Sequence, residues 1–149
     1  MDATELHEFM AAAFDRPLSW VIERVDHDGV RVRQPVGSSD LRPGGTVSGP
    51  TLMALADGVA YIALLSRIGP AALAVTTNLN INFLRRPRPV DLVADARILK
   101  LGRTLALCDV LLYSDGGGPD DLERPVAQSV VTYSMALLTP SPDTGEQAP

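Results

Sequence analysis

Residues 50–67 read Pro-Thr-Leu-Met-Ala-Leu-Ala-Asp-Gly-Val-Ala-Tyr-Ile-Ala-Leu-Leu-Ser-Arg, and no other stretch constrains the chain as strongly. The segment predicts a helix. Proline stands in the first turn, where its missing N–H costs nothing. Gly69-Pro70 closes the run. A helix on a protein surface carries an apolar stripe on one side only, whereas this one is apolar all round, which is the mark of a helix buried in a core. Its four alanines and one glycine let neighbouring backbones come close. Something else in a chain of 149 residues must therefore enclose it, and a hydrophobic share of 46% against 21% charged residues provides one core and excludes a disordered protein.

The remaining segments read mostly as strands. Leu6, Phe9, Met10 and Ala13 recur at helical spacing within residues 4–14, and Pro17 ends that short amphipathic helix. Residues 18–25 and 30–36 read as two strands around the turn Asp26-His27-Asp28-Gly29. A loop is expected over 37–47. Four strand-like runs follow the long helix, at 72–84, 90–101, 104–113 and 126–138, with Gly102-Arg103 as a tight turn and Gly116-Gly117-Gly118 in a longer loop. Two strands, one long helix and four strands make an α+β domain, the sheet curling around the helix. A single domain is expected over 1–139 with its N-terminal helix within 1–16, and a disordered tail over 140–149.

One acid interrupts the long helix. An ionised carboxylate among apolar side chains is costly unless it is paired or hydrogen-bonded, and aspartate gains nothing locally in mid-helix. Asp57 therefore marks either a structural hydrogen-bonding position or a pocket, with the helix entry as the context that favours the pocket. Ser48 or Gly49 can serve as N-cap, and free N–H groups at such an entry are donors for a polarised carbonyl. Gly49 lies eight residues before Asp57, about 12 Å along the axis, so a donor in one subunit and the carboxylate of a neighbour can flank one bound group.

Scarcity narrows the chemistry. Cys108 is the single cysteine, so neither an internal disulfide nor a cysteine-rich zinc site is available, and it reads as a small core residue of a strand. The two histidines, His7 and His27, fall on the terminal helix and the first hairpin. The triple glycine lacks the lysine and the strand–loop–helix context of a phosphate loop. The net charge of −5 argues against a general nucleic-acid binder. The charge is uneven, however: residues 1–40 hold eight acids against four bases, residues 41–113 four against eight, and residues 114–149 six against one. A cationic middle suits a small anionic ligand. The acidic N-terminus does not resemble a signal peptide, and the apolar run 52–65 is short for a bilayer, so a soluble cytoplasmic protein with no membrane partner is expected.

The string Ser48-Gly49-Pro50-Thr51-Leu52-Met53-Ala54-Leu55-Ala56-Asp57, followed by Val75-Thr76-Thr77-Asn78-Leu79-Asn80-Ile81-Asn82-Phe83-Leu84-Arg85, resembles the hotdog-fold acyl-CoA thioesterases of the phenylacetate-pathway (PaaI-like) type. The resemblance runs from about Val30 to Met135. It implies a hotdog fold, a curved antiparallel sheet wrapped around one long central helix. It implies further that Asp57 is the catalytic carboxylate, as nucleophile or as general base for water. Gly49 then offers the backbone N–H that polarises the thioester carbonyl, and Thr76 a hydroxyl that positions the attacking water. Two positions depart from the family: Ser48 stands where histidine is usual, and Arg42 where some members carry Asn or Gln.

A thioester is activated enough for one carboxylate and one oxyanion donor to suffice, so no metal or redox cofactor is expected. The coenzyme A moiety belongs to the substrate, and Arg85, Arg86, Arg88 and Arg103 are the expected contacts for its phosphates. Long edge strands demand cover, and the resemblance implies a homodimer, with a dimer of dimers common in the family. Two other readings stand beside hydrolysis: a hotdog protein that binds acyl-CoA or a fatty acyl group without cleaving it, and a dehydratase or hydratase, which the missing histidine disfavours.

Overall fold

The computed structural model describes residues 1–138. The expected tail at 140–149 lies outside the described residues. Helix α1 (Ala3–Ala13) is capped by Asp2, whose side chain accepts from the Glu5 N–H while Glu5 reaches back to the Asp2 N–H. Strands β1 (Val21–Asp26) and β2 (Gly29–Gln34) form the expected hairpin. Its turn needs glycine at 29, because φ is +140° and a Cβ there would sit 2.1 Å from the Ala96 carbonyl oxygen. The expected loop at 37–47 contains a one-turn helix (Ser38–Asp40) and a two-residue hairpin of β3 (Leu41–Arg42) and β4 (Thr46–Val47).

Helix α2 runs Gly49–Ile68, and the four later strands are β5 (Val75–Phe83), β6 (Asp91–Leu101), β7 (Leu105–Asp115) and β8 (Ala127–Ser134). The six long strands make one antiparallel sheet in the order β1-β2-β6-β7-β8-β5. The first hairpin thus pairs with β6, and β5 crosses to the far edge beside β8. The sheet's inner residues, among them Val32, Ala94, Val110 and Val131, close on Leu55, Val59 and Ile62 of α2, all fully buried. Burying each large aliphatic side chain is worth about 1.5–3 kcal/mol, so this one helix carries a large part of the driving force. By length and composition α2 would also suffice to cross a bilayer. Here it is the core helix of the sheet.

The expectation of a helix enclosed on every side needs correction. Met53 and Ala54 are exposed, and Asp57 and Gly58 are half-buried. The sheet covers the opposite side of α2; α1 and the segment leading into β1 border this stripe, and Thr76 of β5 and Tyr133 of β8 reach it at Asp57.

Candidate active site

The entry of α2 is held by local hydrogen bonds. Ser48 is its N-cap, with an extended backbone and an Oγ that accepts from the Thr51 N–H at 3.3 Å and meets the Thr51 hydroxyl at 2.9 Å. The Ser48 N–H donates to the Asp40 carbonyl at 2.8 Å, and the Thr51 hydroxyl lies 3.4 Å from the Asp40 carboxylate. Serine therefore fills the capping role. As the first helical residue, Gly49 has no intrahelical acceptor for its N–H, and among the described residues no other group takes it. Gly49 lines a cleft of 530 Å³ together with Arg42, Leu52, Phe83, Arg85 and Arg86.

Two turns further on, the Asp57 carboxylate is held from the sheet. Its Oδ1 accepts from the Thr76 hydroxyl at 2.6 Å and lies 3.0 Å from the Tyr133 hydroxyl, which is also 3.0 Å from the Asp57 carbonyl. Thr76 reaches the helix because β5 is irregular there. Thr76 pairs with Tyr133 and Asn78 with Thr132, so Thr77 is an extra residue in the ladder. Strict alternation would place Thr76 on the outer side with Asn78, Asn80 and Asn82. The bulge turns it to the inner side shared by Leu79 and Ile81. Tyr133 is 4% exposed and its ring stacks on Tyr61 at 5.6 Å. Burial pushes the Tyr133 phenol well above its ordinary range, so the group keeps its proton and acts as donor.

Asp57 also lines a second cleft, of 460 Å³, walled by Met10, Phe14, Leu18, Trp20 and Ala54. The Trp20 indole rests directly on Gly58, where a Cβ would lie 2.3 Å from Cη2. Only glycine lets the ring approach α2 this closely.

Of the predicted residues, Asp57 and Thr76 meet, and Ser48 and Gly49 sit together at the helix entry. Those two pairs are two turns of helix apart within one chain. Arg85 and Arg86 border the cleft at Gly49 without a carboxylate partner among the described residues. Arg88 is occupied: its guanidinium lies 2.9 Å from Asp121 and donates to the Ser114 carbonyl. Arg103, in the β6–β7 turn, stands at the opposite end of the sheet from the other three, about 30 Å away by strand length. Within one chain, Arg103 therefore does not share a site with Arg85, Arg86 and Arg88. Arg42, which departs from the family pattern, joins Arg85 and Arg86 instead.

Cys108 is fully buried, and burial pushes its thiol up to about 12, which leaves no thiolate at neutral pH. His7 and His27 are exposed and line neither cleft, though the His7 ring lies 3.3 Å from the carbonyl of the cleft-wall residue Leu18. Asp26, His27 and Asp28 offer three ligand atoms within 4.8 Å of one another, all on exposed side chains of a hairpin turn. The residue missed from the sequence is Tyr133. Its signal was present: it is the tyrosine on the buried alternation of β8, and a buried phenol must find a hydrogen-bond partner.

A six-stranded antiparallel sheet around one long helix defines the hotdog class of protein. The chain belongs to the thioesterase superfamily, whose family model matches residues 44–119. A solved structure of a candidate thioesterase from Silicibacter sp. TM1040 is 43% identical, covering 90% of this chain and 91% of that one, with a TM-score of 0.79. A candidate thioesterase from Ralstonia eutropha JMP134, described as phenylacetic acid degradation-related, is 25% identical over 85% of this chain and 98% of that one, with a TM-score of 0.70. A candidate esterase of Thermoplasma acidophilum is 22% identical over 118 residues, 78% of this chain and 88% of its own.

Proposed function

We propose that the protein is a PaaI-like acyl-CoA thioesterase, hydrolysing an acyl- or aryl-CoA thioester to the free acid and coenzyme A. The observation that carries this reading is the Asp57 carboxylate, anchored at Oδ1 from β5 and β8 and bordering an apolar cleft. In this reading the acyl group lies in the cleft beside Trp20. The carboxylate takes a proton from water while the water oxygen bonds to the carbonyl carbon. The carbonyl electrons move onto oxygen, which a backbone N–H stabilises. Collapse breaks the C–S bond, and the proton passes to the departing sulfur.

The N–H is Gly49 of a second copy. Within one chain, Gly49 and Phe83 lie at one end of β5 and Asp57 and Thr76 at the other. Antiparallel pairing of two β5 edges brings unlike ends together, so the helix entry of one copy faces the carboxylate of the other. Exposure along β5, including Val75 at 46% and Phe83 at 54%, supports such a partner. Arg42, Arg85 and Arg86 beside that helix entry then meet the coenzyme A phosphates. No resident cofactor is needed, and the unpaired Cys108 suits a reducing, cytoplasmic setting.

The test is a panel of acyl- and aryl-CoA esters assayed for released thiol with wild type and Asp57→Asn. Asp57→Asn is expected to lose at least about 100-fold in kcat with its melting temperature unchanged, the scale of removing a general base. Equal inactivity of both on the whole panel defeats hydrolysis. Ser48 in place of the usual histidine favours a second reading, a non-catalytic acyl-CoA-binding protein, which calorimetric binding without turnover would select.

A further inference from the structure

The two oxygens of Asp57 are not equivalent. Oδ1 takes the Thr76 hydroxyl at 2.6 Å and the Tyr133 hydroxyl at 3.0 Å, whereas Oδ2 has no hydrogen-bond donor among the described residues. The Asp57 carbonyl is an equally near acceptor for Tyr133. It is a helix carbonyl four residues before Tyr61, however, and already serves the helix ladder, while the carboxylate is the charged and stronger acceptor. The two contacts also restrain different things: one fixes the backbone of α2 against β8, the other the side-chain torsion of Asp57.

The tyrosine is itself immobilised. Its ring stacks on Tyr61 with planes 14° apart, Phe14 meets Tyr61 edge-on at 6.2 Å, and the Tyr61 hydroxyl donates to the Ala71 carbonyl at 3.1 Å. A carboxylate held by one exposed threonine alone would keep a free rotation about its Cβ–Cγ bond. Held from two strands, it cannot exchange its oxygens.

We propose that Tyr133 is a positioning residue which, with Thr76, pins Oδ1 of Asp57 so that Oδ2 alone is the reacting oxygen. This rests on the thioesterase reading and adds to it which oxygen acts and what orients it. In the hydrolytic step Oδ2 receives the proton of the attacking water and returns it to the leaving sulfur, while Oδ1 keeps its two donors throughout.

Tyr133→Phe removes one oxygen and retains the stacked ring. Measured on the acyl-CoA ester that the wild type turns over fastest, it should lower kcat by about 10- to 100-fold, the scale of losing alignment at a reacting group, with KM within about twofold. Incorporation of 3-fluorotyrosine at 133, which keeps the donor and the ring, should restore kcat to near the wild-type value. Thr76→Ala combined with Tyr133→Phe should lose less than the product of the single losses, because both act on one oxygen. A kcat for Tyr133→Phe within twofold of wild type overturns the proposal while leaving hydrolysis intact, provided Asp57→Asn is inactive. A rise in KM with kcat unchanged, or a fluorotyrosine protein as impaired as the phenylalanine one, overturns it as well. If Asp57→Asn retains full activity, the thioesterase reading of this site falls first and takes the positioning role with it. Should Tyr133→Phe fold poorly, Thr76→Ala still decides: the proposal needs both donors on Oδ1, so a wild-type kcat for Thr76→Ala would overturn it.

Discussion

Gly58 shows how one missing methyl shapes the neighbourhood of the carboxylate. Alanine is the better helix former by about 1 kcal/mol, so propensity alone favours a substitution there. Geometry opposes it, since the new Cβ would stand 2.3 Å from the Trp20 ring. Displacing a half-buried indole forfeits part of the roughly 1.5–3 kcal/mol that burying a large apolar side chain provides, and the second effect outweighs the first. Gly58→Ala should therefore be less stable by about 1 kcal/mol, read as a lower urea midpoint; an unchanged or higher midpoint would mean the ring has an equally good place to go. Asp57 was legible from sequence because a lone acid in an apolar helix has no local benefit. For Tyr133 the alternation of β8 marked a buried phenol but not its partner, which lies 76 residues away and is brought to it only by the sheet.

At the scale of elements, α2 was nearly complete in the sequence, and its enclosure was overstated. An all-round apolar pattern reports what a helix tolerates, not what covers each side, and the stripe of Met53, Ala54 and Asp57 turned out to be the uncovered one. The order of the strands was similarly hidden, since hydrophobic alternation says nothing about which neighbour a strand takes. The bulge at Thr77 defeated alternation itself and moved Thr76 to the inner face. Capping was readable. Ser48→Ala should destabilise by about 1 kcal/mol through loss of the bond from the Thr51 N–H, and Ser48→Gly by only a few tenths. Chemical denaturation separates the two. Equal stability of Ser48→Ala and wild type would show that Thr51 and Asp40 hold the entry without the serine.

For the whole molecule, the arrangement of charge is the clearest case of composition refined by structure. The cationic middle of the chain is partly neutralised within the fold, as Arg88 with Asp121 and Arg97 with Asp109 show. What remains near the helix entry is Arg42, Arg85 and Arg86. If each active site borrows Gly49 from a second copy, specific activity should fall on dilution in step with the loss of the dimer seen by sedimentation. Activity that stays constant as the species sedimenting at one chain mass accumulates would show a site complete in one chain. Trp20 adds a practical consequence. It is the chain's only tryptophan, and its ring lies across the helix one residue from Asp57. Nearly all emission excited at the red edge of protein absorption thus originates beside the Asp57 carboxylate, and the colour and quenching of that single fluorophore give a label-free optical titration of whatever enters the cleft.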